Sequence, residues 1–139
     1  MVVEELSEAD ETAVTALWAE AGLTRPWNEP AMDFRRAIEG PTSCVLGLRD
    51  GGDLVGTVMV GHDGHRGWVY YLAVCTERRR QGLGRVLMAA SEDWLRTKGA
   101  VKVQLMVRRE NESALGFYQQ IDYEESAVVV LSRWLNKER

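Results

Sequence analysis

Apolar residues recur along this chain with two periods, and the periods predict its elements. Met1–Leu6 reads as a short strand. Ser7 then stands as a helix N-cap, with Glu8, Asp10 and Glu11 placed to meet the positive end of a helix dipole. Val14, Leu17, Trp18 and Ala21 follow at helical spacing and Gly22 is the stop. Thr24–Pro30 carries two prolines and reads as irregular. A short helix from about Ala31 to Ile38 comes next, ended by Gly40-Pro41. The rhythm then shortens. Cys44–Leu48 and Leu54–Val60 are apolar runs around Asp50-Gly51-Gly52-Asp53, which is a hairpin. Trp68–Val74 is almost continuously apolar, the pattern of a central strand buried on both faces.

Beyond Val74 the chain turns polar, and a helix is predicted from Gly84 to about Lys98. Its stripe is Leu83, Leu87, Ala90 and Trp94, and Gly99 is its stop. Val101, Val103, Leu105 and Val107 alternate with longer polar or flexible residues, which is a strand. Asn111–Gln120 is a short helix with Ala114, Phe117 and Tyr118 inward, and Val128–Leu131 is a last strand. Strands and helices so mixed imply one sheet with helices packed on it, an α/β or α+β fold. At 139 residues, one domain over 1–139 is expected.

Composition narrows the function. The hydrophobic share of 45% is that of an ordinary globule. The acidic start lacks the pattern of a signal peptide, and no apolar run approaches bilayer-spanning length, so no membrane partner is expected. Cys44 and Cys75 are too few for a disulfide scaffold and read as reduced thiols of a cytoplasmic protein. A net charge of −4 argues against nucleic acid as a partner. Yet Arg78, Arg79, Arg80 and Arg85 crowd into eight residues, which suggests a single anionic ligand.

The anion chemistry is local. Arg79-Arg80-Gln81-Gly82-Leu83-Gly84 lies between a buried strand and a helix. A helix start offers unpaired N–H groups and a positive dipole end, and glycine lets backbone approach a phosphate where a Cβ would block it. Arginines add charge-assisted bonds. Taken alone, the two glycines also fit a solvated basic turn. A dinucleotide fingerprint fits poorly, since Leu87 stands at the third glycine and Lys102–Val107 has no acidic residue. A Walker loop is excluded because no Gly-Lys-Ser/Thr follows.

Arg79–Gly84 resembles the Gln/Arg-x-x-Gly-x-Gly/Ala signature of the GNAT N-acetyltransferase superfamily. Tyr71-Leu72-Ala73-Val74 resembles the end of that family's splayed central strand, and Asn111–Tyr118 resembles its second signature, Asn-x-x-Ala-x-x-Phe/Leu-Tyr. Leu23–Pro30 and Gly61–Tyr71 are similar to a bacterial YpeA-like subgroup related to ribosomal-protein N-terminal acetyltransferases. The resemblance implies an acyl-CoA N-acyltransferase fold: a central, mixed, mostly antiparallel sheet flanked by helices, splaying after Val74.

It also implies an acetyl-CoA-dependent enzyme without a metal, acting on an amine acceptor. The pyrophosphate would lie on backbone amides of Arg79, Arg80, Gln81, Gly82, Leu83 and Gly84, with Arg85 close by. The pantetheine arm would pair like a strand with Leu72, Ala73 and Val74, one amide there serving as oxyanion donor. Asn111 would bond the arm or cap its helix, or both. Tyr118 would contact the cofactor and protonate the departing thiolate; read on its own, it is as well an aromatic packing residue. Met106 stands where related enzymes offer a glutamate base. Glu29, Asp33, His62, Asp63, His65, or water held by Tyr70 or Tyr71, remain alternatives, and a non-catalytic CoA-binding module is the rival reading. Trp27, Asn28, Glu29, Tyr70 and Tyr71 are the acceptor-site candidates. His62 and His65 lack a third ligand, so no metal is expected. Cys75 is expected to be a passive thiol. Asp122 replaces the family's turn glycine and should tolerate its left-handed backbone. The family's dimers form through C-terminal strands, here around Val128–Leu131, which makes a homodimer an expected partner.

Overall fold

The computed structural model describes residues 1–136. Its elements run β1 (Val2–Glu5), a 3-10 turn (Glu8–Asp10), α1 (Glu11–Glu20), α2 (Pro30–Glu39), β2 (Ser43–Asp50), β3 (Asp53–His62), β4 (Gly67–Val74), a second 3-10 turn (Thr76–Arg78), α3 (Leu83–Thr97), β5 (Val103–Leu105) and α4 (Glu112–Gln120). The chain divides into two compact units, Met1–Met106 and Val107–Arg139.

The first unit holds the whole sheet, in the order β1-β2-β3-β4-β5. Its first four strands form an antiparallel meander, and β5 lies parallel to β4. Gly51 and Gly52 close the β2–β3 hairpin at φ 61° and 104°, a pair of left-handed positions that glycine alone adopts without strain. A parallel neighbour for β4 requires a crossover, and α3 supplies it.

Strand alternation sends one set of side chains to each face. Val45, Thr57 and Ala73 face α1 and α2, where Leu6, Val14, Leu17, Trp18, Phe34 and Ala37 complete a core. The opposite face receives α3 through Leu83, Leu87, Met88, Ser91 and Leu95. Close packing there depends on two glycines. A Cβ on Gly56 would lie 2.8 Å from Leu87 Cδ1, and one on Gly67 would lie 2.5 Å from Leu95 Cδ1.

Several sequence expectations are corrected. The buried stripe of α3 runs through Met88, Ser91 and Leu95, while Ala90 and Trp94 lie at its margin, and Trp94 takes the Lys98 ammonium 5.1 Å from its ring centre. The strand expected over Val101–Val107 shrinks to Val103–Leu105, leaving Val101 84% exposed. As a result β4 is paired with β5 only over Gly67–Val69. The sheet therefore opens after Val69 rather than after Val74. Burial of β4 on both faces fails at the same place, since Tyr70 is exposed.

In the second unit, Asn111 caps α4 by accepting the Ala114 N–H at 3.1 Å, as its cap reading anticipated. The helix ends with the Tyr123 N–H on the Tyr118 carbonyl and the Asp122 N–H on the Gln119 carbonyl, which is a Schellman closure. Asp122 takes the left-handed position at φ 70° that Gly22 and Gly99 take after α1 and α3. The strand expected at Val128–Leu131 does not form; the segment is irregular and exposed. A β-branched run favours a strand only when a neighbour provides the ladder, and none pairs with it among the described residues.

Candidate active site

Two features of the first unit meet at the C-terminal end of β4. The first is a strand edge that no strand of its own unit covers. With β5 ending its pairing at Val69, Tyr70–Val74 has no strand along its outer side in this unit. The edge is also bulged: the register with β3 shifts between Thr57 and Met59, and Tyr71 sits at φ 53°. A left-handed tyrosine is strained and has to be held by its surroundings. Its ring stacks on Trp18 with centroids 3.8 Å apart at 10°, and its hydroxyl donates to Asp33 Oδ2 at 2.7 Å. Behind it, Trp18 Nε1 donates to Thr57 Oγ1 at 2.9 Å, and Thr57 Oγ1 donates to the Tyr71 carbonyl at 3.4 Å. Thr57 and Trp18 are fully buried.

The second feature is the loop that follows. Arg80 at φ 66° and Gly82 at φ 79° are left-handed, and Gly82 caps α3. Glycine carries that conformation freely; arginine does not, which marks Arg80 as a constrained position. The backbone N–H groups of Arg80, Gln81, Gly82, Leu83, Gly84 and Arg85 find no protein acceptor among the described residues, and Val86 begins the ladder on the Gly82 carbonyl. Consecutive open amides at a helix start form an anion cradle. Arg78 is committed to Asp50 at 2.7 Å, whereas Arg79, Arg80 and Arg85 make no ion pair among the described residues. Arg79, Arg80, Gln81, Gly82 and Arg85 are exposed, and Leu83 is buried to anchor the loop.

The remaining candidates are placed as follows. Trp27 is exposed, Asn28 is half-buried, and Glu29 stands just before Pro30, the first residue of α2. Burial and the nearby Asp63 carboxylate raise the Tyr70 phenol. Asp63 accepts the backbone N–H groups of Arg66 at 2.7 Å and His65 at 2.8 Å, which hold its carboxyl below the usual range and make it a weak base. Asp33 is engaged by Tyr71. His62 ends β3 and His65 lies exposed in the turn after it. In the second unit, burial pushes the Tyr118 phenol up to about 12, and its ring packs edge-on against Phe117 at 5.0 Å. Met106 is half-exposed beyond the end of β5.

Cys75 is half-buried and lines a cavity of about 340 Å³ with Ala13, Glu20, Asp53, Leu54, Val55, Glu77 and Arg78. Among the described residues no group of three His, Cys, Asp or Glu side chains could hold a metal ion, and no helix is long and apolar enough to cross a membrane. The Trp18–Thr57–Tyr71–Asp33 network went unread in the sequence. Its one signal was Thr57, a lone polar residue inside the apolar run Leu54–Val60, since a buried hydroxyl requires partners.

An open anion cradle directly following a bulged, half-paired strand is the arrangement of an acyl-CoA acyltransferase. The acetyltransferase (GNAT) family profile matches residues 7–123. An acetyltransferase of Pectobacterium atrosepticum is 36% identical over 139 residues, covering 100% of this chain and 99% of that protein. The chain therefore belongs to the GNAT family and is an N-acetyltransferase. Its fold is shared with an aminoglycoside N-acetyltransferase solved in complex with CoA, at TM-score 0.82 and 15% identity over 97% of this chain and 95% of that one. The ribosomal-protein-S18-alanine N-acetyltransferase of Escherichia coli aligns at TM-score 0.78 and 23% identity over 91% of this chain and 79% of that one.

Proposed function

We propose that this chain moves acetyl from acetyl-CoA directly to a primary amine, of a small molecule or of a protein N-terminus or lysine, within the YpeA-like subgroup related to ribosomal-protein N-acetyltransferases. The run of open amides from Arg80 to Arg85, flanked by Arg79, Arg80 and Arg85, which make no ion pair among the described residues, and joined to the strand edge at Leu72–Val74, carries the reading. The cradle takes the pyrophosphate, with Leu83 fixing the loop to the sheet, and Leu72, Ala73 and Val74 take the pantetheine arm. The amine lone pair forms a bond to the acetyl carbon. The carbonyl electrons move to oxygen, where a backbone N–H of the bulge receives the charge. The C–S bond then breaks as the carbonyl re-forms, the thiolate takes its proton from Tyr118, and the proton lost by the attacking nitrogen passes through solvent and returns the Tyr118 phenolate to phenol. The motif match over Asn111–Tyr118 supports that role, as it supports Asn111 as a partner of the arm.

The phenol at about 12 keeps Tyr118 protonated at every physiological pH. Donation to a thiolate of ordinary pKa, about 8.5, is then uphill by roughly 5 kcal/mol, and a sulfur still bonded to carbon is less basic still, so the proton moves only once the C–S bond has broken and the bound complex must bring the two acidities closer together. Trp27, Asn28, Glu29, Tyr70 and Tyr71 form the acceptor side. With Cys44 and Cys75 both free thiols, the reaction belongs to the cytoplasm. The chain acts as a homodimer joined through Val128–Leu131, whose side chains are 58% to 90% exposed here. A Val129→Lys substitution should shift the mass in light scattering from dimer to monomer.

Thermal unfolding with acetyl-CoA, CoA, ATP and NAD in parallel tests the central reading. Acetyl-CoA at 100 times its Kd should stabilise by about 2.7 kcal/mol, and ATP and NAD should not. No shift with either CoA form would remove the cofactor site and return the loop to a basic turn.

A further inference from the structure

We propose that Thr57, buried beneath the β4 bulge, is a positioning residue for acetyl transfer: its hydroxyl, fixed by Trp18, turns the Tyr71 carbonyl inward and so aims the Leu72 N–H outward at the acetyl oxygen. The inference rests on the acetyl-CoA reading above and adds what sets the geometry of its oxyanion donor.

An indole N–H can only donate, so the Trp18 bond at 2.9 Å occupies a lone pair of Thr57 Oγ1. The Thr57 proton must point elsewhere, and in a fully buried position it needs an acceptor. The Tyr71 carbonyl at 3.4 Å is that acceptor, a long bond for a hydroxyl donor. The described residues contain no cis peptide bond, and in a trans peptide the carbonyl and the next N–H point in opposite directions. With the Tyr71 carbonyl turned towards Thr57 in the core, the Leu72 N–H turns away from it. β5 has already left β4 at Val69, so no strand of this unit runs along that side.

The same peptide is braced from its other end. Relieving the Tyr71 φ of 53° by rotation about its N–Cα bond would swing the Tyr71 carbonyl, and with it the Leu72 N–H, to a new direction. The stack on Trp18 and the bond to Asp33 Oδ2 hold the ring against that movement. Trp18 thus contacts both the tyrosine ring and the threonine that orients the tyrosine carbonyl. A threonine chosen only to fill space would be replaceable by valine, which has the same shape. The network gives the hydroxyl a separate task.

The test needs no knowledge of the acceptor. Acetyl-CoA labelled with 13C at the carbonyl is bound to the wild type, Thr57→Ser and Thr57→Val, and the carbonyl stretch is read by isotope-edited infrared spectroscopy. Titration gives each Kd. A carbonyl polarised by the bulge amide moves to lower frequency on binding. Wild type and Thr57→Ser should show that shift, and Thr57→Val should lose at least half of it while its Kd stays within about twofold. Once an amine acceptor is in hand, Thr57→Val should lower kcat about tenfold and leave the KM for acetyl-CoA unchanged, a fraction of the loss expected when an oxyanion donor is removed outright. Thr57→Ala carries the same expectation should the valine variant fail to fold. An undiminished shift in both variants would overturn the proposal, as would a wild-type carbonyl that does not shift in a complex that forms. Failure of the wild type to bind acetyl-CoA at all would overturn the cofactor reading beneath it, which the thermal assay detects independently.

Discussion

The contact of Gly56 with α3 makes a quantitative demand. Gly56 pairs with Val74 and faces Leu87, one turn into the helix that begins at the anion cradle. An added methyl would meet Leu87 Cδ1 at 2.8 Å and the Ala73 carbonyl oxygen at 3.2 Å. Leu87 is fully buried, so the leucine cannot swing into solvent, and the carbonyl belongs to the strand edge proposed to hold the pantetheine arm. Overpacking of this kind costs about 1–3 kcal/mol, less about 0.5 kcal/mol regained because alanine orders more cheaply than glycine in a strand. Gly56→Ala should therefore destabilise by about 0.5–2.5 kcal/mol. Leu87→Ala alone should cost about 2–5 kcal/mol through the cavity it leaves. The double variant removes the clash and part of the cavity together, so its loss should fall short of the sum by about 1–2 kcal/mol. Urea denaturation of the four proteins measures that coupling. Additivity within about 0.5 kcal/mol would refute the claimed contact. Acetyl-CoA affinity is the functional readout: it should fall in Gly56→Ala, since the displaced helix turn carries Gly84 and Arg85.

Five further outcomes are expected. Arg79→Ala and Arg85→Ala should each weaken acetyl-CoA several-fold, and the loss should shrink between 50 and 300 mM salt as screening grows, by calorimetric titration at roughly those concentrations. Tyr118→Phe should lower kcat tenfold or more with an unchanged KM for acetyl-CoA; unchanged turnover would remove the acid assignment. Asp122→Gly should stabilise by about 0.5 kcal/mol by relieving the left-handed backbone, while Asp122→Val should cost about 1–2 kcal/mol, both read by urea denaturation. Burial raises the Cys44 thiol from 9.0 to about 12, aided by the Glu5 carboxylate, and raises Tyr118 from 10.0 to about 12. Both folded values lie above the unfolded ones, so the stability they contribute is complete below pH 9 and is lost as pH climbs to 12. A denaturation series over that range should show the fall beginning near pH 9, and Cys44→Ala should remove its first part. Iodoacetamide at pH 8 should label half-buried Cys75 and spare Cys44.

The sequence determined what depends on neighbours along the chain. Helical spacing located α2, α3 and α4 to within a residue or two, because a one-sided apolar stripe has few other ways to be buried, whereas α1 begins three residues later than the Ser7 cap implied, after a 3-10 turn over Glu8–Asp10. Gly51-Gly52 fixed the hairpin, Gly22 and Gly99 fixed helix ends, and Asp122 proved able to take the same left-handed role. The cradle was legible for the same reason: a strand, a glycine loop and a helix start are contiguous, so their amides open together wherever the unit packs.

Tertiary structure decided the rest. Whether Val128–Leu131 is a strand depends on a ladder partner, which no run of valines supplies by itself. Val101–Val107 alternates as a strand should, yet only Val103–Leu105 reaches β4, and that shortening moved the opening of the sheet from Val74 to Val69. The face of α3 that is buried was set by Gly56 and Gly67, which admit Leu87 and Leu95 to the sheet. The bulge at Tyr71 depends on Trp18, 53 residues earlier, on Asp33, and on Thr57 in the neighbouring strand. Its geometry is written in contacts between residues far apart in the chain, and a one-dimensional pattern holds no record of which side chains meet.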